Sequence, residues 1–590
     1  MAHSKKRMPE VEEVRAYLEG VAKNLADRIW GPQGPAWGTK LTQLEDLVVE
    51  IREVLSEKML ALGLERQALT PADERPAAFQ HCSGCGQPTP ADAAEPTEPR
   101  RVHTRGGQAH WPEPKQYCRT CRQAFFPQSK SLGLDRSQYS NAVLAKIIYA
   151  GSNNTSYQQA HDDLGHLAEL DVSAKQVRRL CKRIGDERVQ ERDAAVSAYQ
   201  ALPLVARKSA PAGLTPPALA VVGVDGGRVQ IFERPHGAAA GAPANPAAAE
   251  PAAQPDHEVG AGAPSHAGLI PPGPQPAAPA AAEEDDDEKR GRFWREDKIG
   301  LLLTMQSEPS AQDPCPQIPK TFLNPARMTK LVRELKKRAP PQEEAAKETD
   351  DPDAGAAALR GNEARWEPPE VQASQLVATR RSWAQFGPMV ATAAWALGFF
   401  AAARKAFLAD GAENNWALHR QLFSSFVPIL DFIHALSYVF ASALAGRSFK
   451  EGWAVYERWI QWVWSGAVAR VIAELAVRQA ELGTPAPEDP EGSPRAVVGR
   501  ALTYLQNNQE RMRYADYRRQ GLPLTSSYVE SAVKQINRRV KGTEKFWNEA
   551  GAEEVLQLRA DSLSDGDVME AYWERREINE SGQNRYRRAE

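Results

Sequence analysis

One continuous apolar segment in the middle of the chain constrains the fold most. The run LAVVGV at 219–224 is rich in β-branched residues and contains no polar side chain, which is typical of a central strand buried on both faces. Upstream, at 137–200, apolar residues recur at helical spacing. Asp225-Gly226-Gly227 follows the run and predicts a tight turn, and RVQIFE then predicts a second strand. We therefore expect an α/β protein with several domains.

Two segments of biased composition interrupt these patterns. Residues 236–292 are dominated by Ala, Pro and Gly and include the acidic run EEDDDE. Such a composition cannot bury enough apolar surface to fold, so we expect a disordered insert ahead of a third strand, IGLLLTM at 299–305. A second disordered loop is expected at 337–370, and a helical pattern resumes from Gln375 to Ala403.

The overall composition excludes some classes of protein. The chain has 590 residues and a formal net charge of −3, so contacts with nucleic acid would need local basic patches. MAHSKKRMPE at the start lacks the apolar core of a secretory signal. The apolar stretches at 390–403 and 426–445 are too short, or too interrupted by polar residues, to span a bilayer. We expect a soluble cytoplasmic protein that does not contact membranes.

Four of the six cysteines form two C-x-x-C pairs, Cys82 with Cys85 and Cys118 with Cys121. In a reducing compartment this spacing favours a metal over disulfides. Two such knuckles surround one Zn²⁺ with four thiolates and leave no open position, which predicts a structural zinc ribbon at 76–130. GGQAHWPEPKQY, between the pairs, can close a β-hairpin. The alternative is four unlinked thiols in a small domain.

Helical segments flank this cysteine module. Residues 1–75 predict two helices, separated by a Gly/Pro break at 31–38, that could pair two subunits. Residues 131–200 predict a helix-turn-helix, in whose last helix Ser173 is the N-cap and Val177, Leu180 and Ile184 form the apolar stripe. The polar side chains around that stripe could contact bases and phosphates: Lys175, Gln176, Arg179, Lys182 and Arg183. An ordinary amphipathic helix with a solvated basic face is the alternative.

Three acidic residues end or open apolar segments far apart in the chain. Asp225 ends LAVVGV, Asp410 ends a predicted strand in KAFLADG, and Glu530 lies in a predicted helix that Thr525 or Ser526 can cap. Taken singly, they could be turn residues or a solvated helix residue. Taken together, their order predicts three carboxylates at one edge of a mixed sheet, the kind of group that holds paired Mg²⁺ ions.

This order of strand-Asp-turn-strand, then strand-Asp-Gly, then helix-borne Glu resembles the DDE transposases, which have a ribonuclease-H-like core. The resemblance is closer to Mutator-type and related bacterial insertion-sequence transposases. It includes the D-x-x-H motif Asp431-Phe432-Ile433-His434 and the block SSYVESAVKQINRRVKGTEKFWNEAGAEEVLQLRA, which contains Glu530. It extends over about residues 80–565, and the Ala/Pro-rich insert departs from the family pattern.

The resemblance implies a domain plan. A ribonuclease-H-like catalytic core would occupy 215–435 and 520–565, with an all-helical insertion at 436–519 and a C-terminal tail at 566–590. The Trp residues of that insertion are expected in its core. The implied location is cytoplasmic and nucleoid-associated. The implied partners are double-stranded DNA, both element ends and target, and further copies of the chain in a homodimer or higher oligomer.

The resemblance also implies the chemistry. Asp225, Asp410 and Glu530 would hold two Mg²⁺ ions, or Mn²⁺ in their place, for strand cleavage and strand transfer. Asp431 and His434 would support the site or position DNA without binding metal; the alternative is a strand-end Asp and a core His. Three basic residues after Glu530 could bind phosphate, or form a solvated face: Arg538, Arg539 and Lys541.

Two other functions are compatible with the sequence. The first is a structure-specific nuclease with the same core that cleaves branched or hybrid nucleic acid without strand transfer. The second is a domesticated DNA-binding regulator whose core is inactive, although all three acids are present.

Overall fold

The computed structural model describes residues 8–88, 95–232, 293–334, 367–542 and 544–586. The expected insert at 236–292 and most of the expected loop at 337–370 lie outside the described residues. The protein is mixed α/β and contains a mixed sheet. It divides into two compact units, Met1–Lys146 with Glu570–Glu590, and Ile147–Met569.

The helices of four or more residues are, in chain order, α1 Met8–Trp30, α2 Leu41–Ala68, α3 Pro127–Ser131, α4 Asn141–Asn153, α5 Tyr157–Ala168, α6 Ala174–Ala201, α7 Leu204–Arg207, α8 Pro325–Glu334, α9 Trp383–Ala396, α10 Glu413–Leu422, α11 Phe432–Leu444, α12 Phe449–Trp464, α13 Val468–Leu482, α14 Pro494–Asn508, α15 Tyr514–Arg519, α16 Ser527–Val540, α17 Glu549–Leu563 and α18 Val568–Ile578. The strands are β1 Thr97–Thr104, β2 Gly107–Pro114, β3 Gln116–Cys118, β4 Gln123–Phe125, β5 Leu219–Ile231, β6 Trp294–Gln306, β7 Glu370–Thr379, β8 Arg404–Ala409, β9 Val427–Leu430 and β10 Phe546–Trp547. None of these described helices combines the length and the apolar composition that crossing a bilayer requires.

The first unit contains the two predicted N-terminal helices and the predicted hairpin. Gly31, Gly34 and Gly38 between α1 and α2 all have positive φ, a conformation that glycine adopts without strain. Strands β1 and β2 pair antiparallel around a short turn. Trp111 of the hairpin is buried, and Leu64 of α2 packs against its core cluster. The hairpin therefore gains an apolar cover from α2.

The second unit is built on one mixed sheet with the order β7-β6-β5-β8-β9. Strands β5, β8 and β9 run parallel, β6 and β7 are antiparallel to their neighbours, and β10 pairs with the end of β5. Val529 of α16 lies over Gly223 on one face, and Phe386 and Val390 of α9 lie over Gly300 of β6 on the other. The central strand is thus buried from both sides, as its apolar run predicted.

Two predictions about this sheet were wrong. Strand β5 continues through Asp225-Gly226-Gly227 to Ile231, so the expected tight turn and the separate RVQIFE strand do not exist. The reason is that β6 pairs with β5 along its whole length, from Leu219 opposite Met305 to Gln230 opposite Trp294. A long antiparallel partner therefore overrides the local turn preference of Asp-Gly. In addition, β7 occupies part of the stretch predicted as helical from Gln375, and α9 begins only at Trp383.

The predicted helical region after β9 is present as α11 to α14. Trp459 and Trp464 are only 1% exposed, and Trp464 packs against Phe432 at the start of α11. These aromatic rings are core residues, in agreement with the expectation for the Trp-rich segment.

Candidate functional site

Strand register brings Asp225 and Asp410 to the same level of the sheet. Strands β5 and β8 are parallel, and Gly223 lies opposite Leu408. Asp225 is two residues after Gly223, and Asp410 is two residues after Leu408, so the two acids occupy equivalent positions on neighbouring strands. Their side chains share one face because side chains alternate with a period of two. Asp410 immediately follows β8, whereas Asp225 lies inside β5.

Helix α16 carries Glu530 onto the same part of β5. A β-carbon at Gly223 would lie 2.2 Å from Cγ2 of Val529, a distance that no side chain tolerates. The missing side chain therefore allows α16 to contact β5 directly, two residues before Asp225. Glu530 follows Val529, and its side chain is 28% exposed, with Nζ of Lys534 4.0 Å from its carboxylate.

Asp431 joins the starts of two helices and is fully buried. Its Oδ1 accepts a hydrogen bond from the backbone N–H of Ile433 (3.1 Å), which caps α11. Ser526 donates to the same carboxylate through its backbone N–H (3.2 Å) and its hydroxyl (2.8 Å). Ser526 was predicted to cap α16 through its side chain. Ser526 does occupy the N-cap position of α16, but its side chain makes no capping hydrogen bond, and its hydroxyl donates to Asp431 instead.

His434 lies among the acids and bonds to Asp431. Its Nδ1 is 2.6 Å from Oδ2 of Asp431, and its side chain is 21% exposed. Burial alone would lower the pKa of His434, but the hydrogen bond and charge of Asp431, aided by Asp410 and Glu530, raise it to about 9. His434 is therefore an imidazolium at neutral pH, and its positive charge partly offsets the carboxylates.

The pKa of Asp225 depends on its burial and on the charges of the neighbouring acids and His434. Burial raises the pKa of the Asp225 carboxyl to about 6, and the negative charges of Asp410 and Glu530 raise it further, whereas the Gly226 N–H and His434 lower it. The three predicted acids and His434 thus form one electrostatic cluster. Burial is the main cause of the raised Asp225 pKa, and the charges of Asp410 and Glu530 add to it.

Asp410 is fixed by the chain around it. Its Oδ1 accepts hydrogen bonds from the backbone N–H of Ala412 (2.9 Å) and from Nδ2 of Asn415 (2.8 Å). A β-carbon at Gly411 would lie 2.1 Å from the Tyr504 ring of α14. Asn415 was not foreseen, although its place in the first turn of α10, five residues after Asp410, is a local signal that could have identified it.

Two groups of side chains in the described residues could each hold a metal ion. Asp431, His434 and Glu530 offer three ligand atoms that all lie within 4.8 Å of one another, and so do Cys82, Cys85, Cys118 and Cys121. Hard carboxylate oxygens suit Mg²⁺ or Mn²⁺, whereas four sulfurs suit Zn²⁺. The first group includes the two residues that the resemblance places outside the metal ligands.

The four cysteines converge in the first unit from the two predicted pairs. Sγ of Cys85 lies 3.5 Å from Sγ of Cys118, and Nε2 of Gln583 donates to Sγ of Cys82 at 3.1 Å. Such a hydrogen bond stabilises a sulfur that carries negative charge. Gln583 comes from the C-terminal segment, and no local pattern in the sequence could have identified it.

The predicted DNA-contacting helix α6 has the expected apolar stripe and cap. Val177, Leu180 and Ile184 are buried, and the Ser173 hydroxyl accepts from the backbone N–H of Gln176 at 3.3 Å. The polar residues differ in how accessible they are. Lys175, Arg179 and Lys182 are exposed, Gln176 is half-buried, and the Arg183 side chain is 14% exposed and pairs with Glu187.

The three basic residues after Glu530 also differ in solvent exposure. Arg538 and Lys541 are exposed, whereas Arg539 is only 2% exposed. Nε of Arg539 donates to the carbonyl of Gly151 (2.9 Å), and its guanidinium lies over the Tyr157 ring at 4.5 Å. The prediction that Arg539 binds DNA phosphate was wrong, because its charge is used inside the protein to join α16 to α4 and α5.

No protein-family model matches the chain, and no curated protein matches it. The geometry of the acids, the cysteines and the basic side chains therefore indicates what the protein can do.

Proposed function

We propose that the protein is a DDE-type DNA transposase with a ribonuclease-H-like catalytic core. One observation carries the proposal. Asp225 and Asp410 stand at equivalent positions on neighbouring parallel strands, and α16 brings Glu530 onto the same strand through Gly223. The resemblance to insertion-sequence transposases implies this arrangement of acids. It also implies a turn after Asp225, where β5 instead continues as a strand.

Carboxylate oxygens are ligands of the kind that divalent cations prefer, although the group whose ligand atoms lie within 4.8 Å of one another here is Asp431, His434 and Glu530. Burial raises the pKa of Asp225 most, and the negative charges of Asp410 and Glu530 raise it further, so a bound cation would stabilise the ionised carboxylate. Asp225, Asp410 and Glu530 would hold two Mg²⁺ ions or Mn²⁺. Bound ions would supply an activated water and stabilise the leaving oxygen of the cleaved strand.

The remaining side chains support that site. Asp431 ties the start of α11 to the start of α16 through Ser526, so it fixes the helix from which Glu530 projects. His434 supplies positive charge beside the acids, which lowers the repulsion among them. Asn415 orients the Asp410 carboxylate by donating to one of its oxygens.

The four-cysteine group is proposed to bind a structural Zn²⁺. Four sulfurs close the coordination sphere and leave no position for substrate. The exposed side chains of Lys175, Arg179 and Lys182 on α6 are proposed to contact double-stranded DNA, since exposed cations are the groups that replace counterions at phosphates. We also propose that the protein acts in the cytoplasm as a homodimer or higher oligomer on DNA.

Cleavage assays with matched variants test this function. Duplexes taken from the DNA on either side of the coding region are incubated with protein and Mg²⁺. Asp410→Asn should fold and bind these ends but cut them roughly 10³-fold more slowly. Glu413→Gln, which alters an exposed carboxylate three residues away, should cut at the wild-type rate. Cleavage by Asp410→Asn at the wild-type rate would show that Asp410 is not part of the catalytic site.

A second assay separates the alternatives. Transposition requires that a pre-cleaved 3′-hydroxyl end be joined to a target duplex. Joining by the wild type supports a transposase, cleavage without joining indicates a nuclease, and end binding without either reaction indicates a DNA-binding regulator.

A further inference from the structure

A fourth acidic residue lies on the sheet face that carries Asp225, outside the cluster described above. Asp297 of β6 pairs directly with Gly227 of β5, so its side chain lies on the face that α16 covers. Asp297 is completely buried. Among the described residues, no other residue donates a hydrogen bond to either of its carboxyl oxygens, and the donor beside them is its own backbone N–H. A buried carboxylate without a partner is costly, so this residue requires an explanation.

The space beside Asp297 is lined by acceptor oxygens. A β-carbon on Gly227 would lie 2.8 Å from Oδ1 and 3.0 Å from Oδ2 of Asp297, and 3.0 Å from Oδ1 of Asn537 on α16. Within the described ranges, the Asn537 oxygen also has no hydrogen-bond partner. All three oxygens therefore pack against the same glycine and lie close to one another, and a side chain at residue 227 would collide with them.

The nearby cationic side chains make their ion pairs with other acids, although Nε of Arg380 is buried without a hydrogen-bond partner among the described residues. Nζ of Lys298 lies 3.0 Å from the Glu296 carboxylate, and Nη2 of Arg380 donates to Glu549 at 2.9 Å. Both side chains act on Asp297 only through longer-range charge interactions, as does Glu296 with the opposite sign. The site therefore combines one negative charge with acceptors that need a positive partner.

We propose that Asp297 and Asn537 bind a monovalent cation of the Na⁺ or K⁺ class. The two carboxyl oxygens and the amide oxygen are hard ligands of the type that such ions prefer. A single positive charge neutralises the single carboxylate, whereas a divalent ion would leave an uncompensated charge in a buried place, which is costly.

The cation would link α16 to the sheet. Asn537 is seven residues after Glu530, about two helical turns along α16, and Asp297 belongs to β6. An ion between them would fasten the C-terminal half of the helix, while Val529 fixes the N-terminal half over Gly223. This inference does not depend on the proposed function, because Asp297 is not one of the three proposed catalytic acids.

Thermal unfolding tests the site without any activity assay. The full-length protein is melted in KCl, NaCl or N-methyl-D-glucamine chloride at equal ionic strength, with EDTA present to remove divalent ions. We expect the Tm in KCl or NaCl to exceed that in the organic salt by roughly 2–4 °C. Asp297→Asn, which keeps the shape but removes the charge, should abolish the difference. Glu370→Gln, at an exposed position of the same sheet, should retain it.

Equal wild-type Tm values in all three salts would overturn the proposal, and so would a difference that persists in Asp297→Asn. If Asp297→Asn does not fold, diffraction from wild-type crystals soaked in RbCl decides the matter. An anomalous peak between Asp297 and Asn537 supports the site. Ordered side chains without such a peak would show that Asp297 is instead protonated or bonded to the Asn537 amide, and would overturn the proposal.

Discussion

The cysteine group of the first unit and the acid cluster of the second unit are assembled in opposite ways. The cysteines come from two C-x-x-C pairs that flank one hairpin, whereas the acids come from positions as distant as Asp225 and Glu530. The hairpin joins the cysteines through local pairing, but the acids meet only after β5, β8 and α16 have packed. A site made from local motifs can be recognised from the sequence, and a site made by sheet register can only be inferred from the order of its parts.

The two sites also differ in what holds them together. In the first unit, the sulfurs receive hydrogen bonds from the Gln583 amide and from the backbone N–H of Gln87, and we expect metal to hold that site. The acid cluster already has a protein framework, in which Asp431, Ser526 and His434 are hydrogen-bonded without any ion. This contrast leads to predictions of different size for metal removal, charge removal and packing changes.

Removal of zinc should have the largest effect. A structural Zn²⁺ site contributes on the order of 10 kcal/mol to the folding of a small metal-binding module, so Cys118→Ser or a strong chelator should unfold the cysteine module. Zinc content by atomic emission and protease sensitivity of residues 76–130 measure this. Cys181→Ala, a buried cysteine outside the group, should keep its zinc. Full retention of structure after chelation would show that the cysteines are unlinked thiols.

Deprotonation of His434 should have a smaller effect on the second unit. The pKa of His434 rises from 6.5 to about 9 in the folded state, so its contribution is fully present below pH 6.5 and is lost as pH rises through 9. In metal-free protein we expect the free energy of unfolding to fall by roughly 3 kcal/mol across this window. Denaturant titrations at several pH values measure the change. The fall should disappear in His434→Asn, and a fall of the same size in that variant would refute the assignment.

The glycine contact under α16 predicts an effect on stability and on activity. Gly223→Ala would place a β-carbon 2.2 Å from Val529, so the helix must move. We expect a loss of about 1–3 kcal/mol in unfolding free energy. Strand cleavage should fall even under conditions in which the variant is fully folded, because Glu530 moves with Val529. Gly165→Ala, where nothing lies within 4 Å, should be neutral or stabilising, and wild-type cleavage by Gly223→Ala would separate Glu530 from the site.

The basic residues give the smallest and most specific effect. Lys182 is exposed on α6, so Lys182→Ala should weaken DNA binding uniformly across sequences and reduce the salt slope of the binding constant by about 1. Arg539→Lys should lower stability, because Arg539 stacks on Tyr157, but leave the salt slope unchanged. Fluorescence anisotropy over a range of KCl concentrations distinguishes the two. A reduced salt slope of DNA binding in Arg539→Lys would show that Arg539 contacts DNA.

The sequence predicted the parts of the fold that depend on local pattern. The apolar run before Asp225, the short strands before Asp410 and Asp431, and the Ser173 cap are all present where they were expected. These features depend on residues that are near one another in the chain, so composition and spacing suffice to find them.

The wrong predictions share a physical cause, which is contact between residues that are far apart in the sequence. Asp225-Gly226-Gly227 stays extended because β6 pairs with it, and the side chain of Ser526 does not cap its helix because Asp431, 95 residues away, accepts its hydroxyl. Arg539 looks solvated from its helical neighbours, yet the carbonyl of Gly151 and two aromatic rings enclose it. Local pattern carries no information about partners of this kind.

The most direct test of the central claim is an anomalous diffraction map of wild-type crystals soaked in MnCl₂. We expect manganese density bounded by the carboxylates of Asp225, Asp410 and Glu530, and loss of that density in Asp410→Asn. Manganese bound only by Asp431 and His434, with Asp225 and Asp410 turned away, would contradict it.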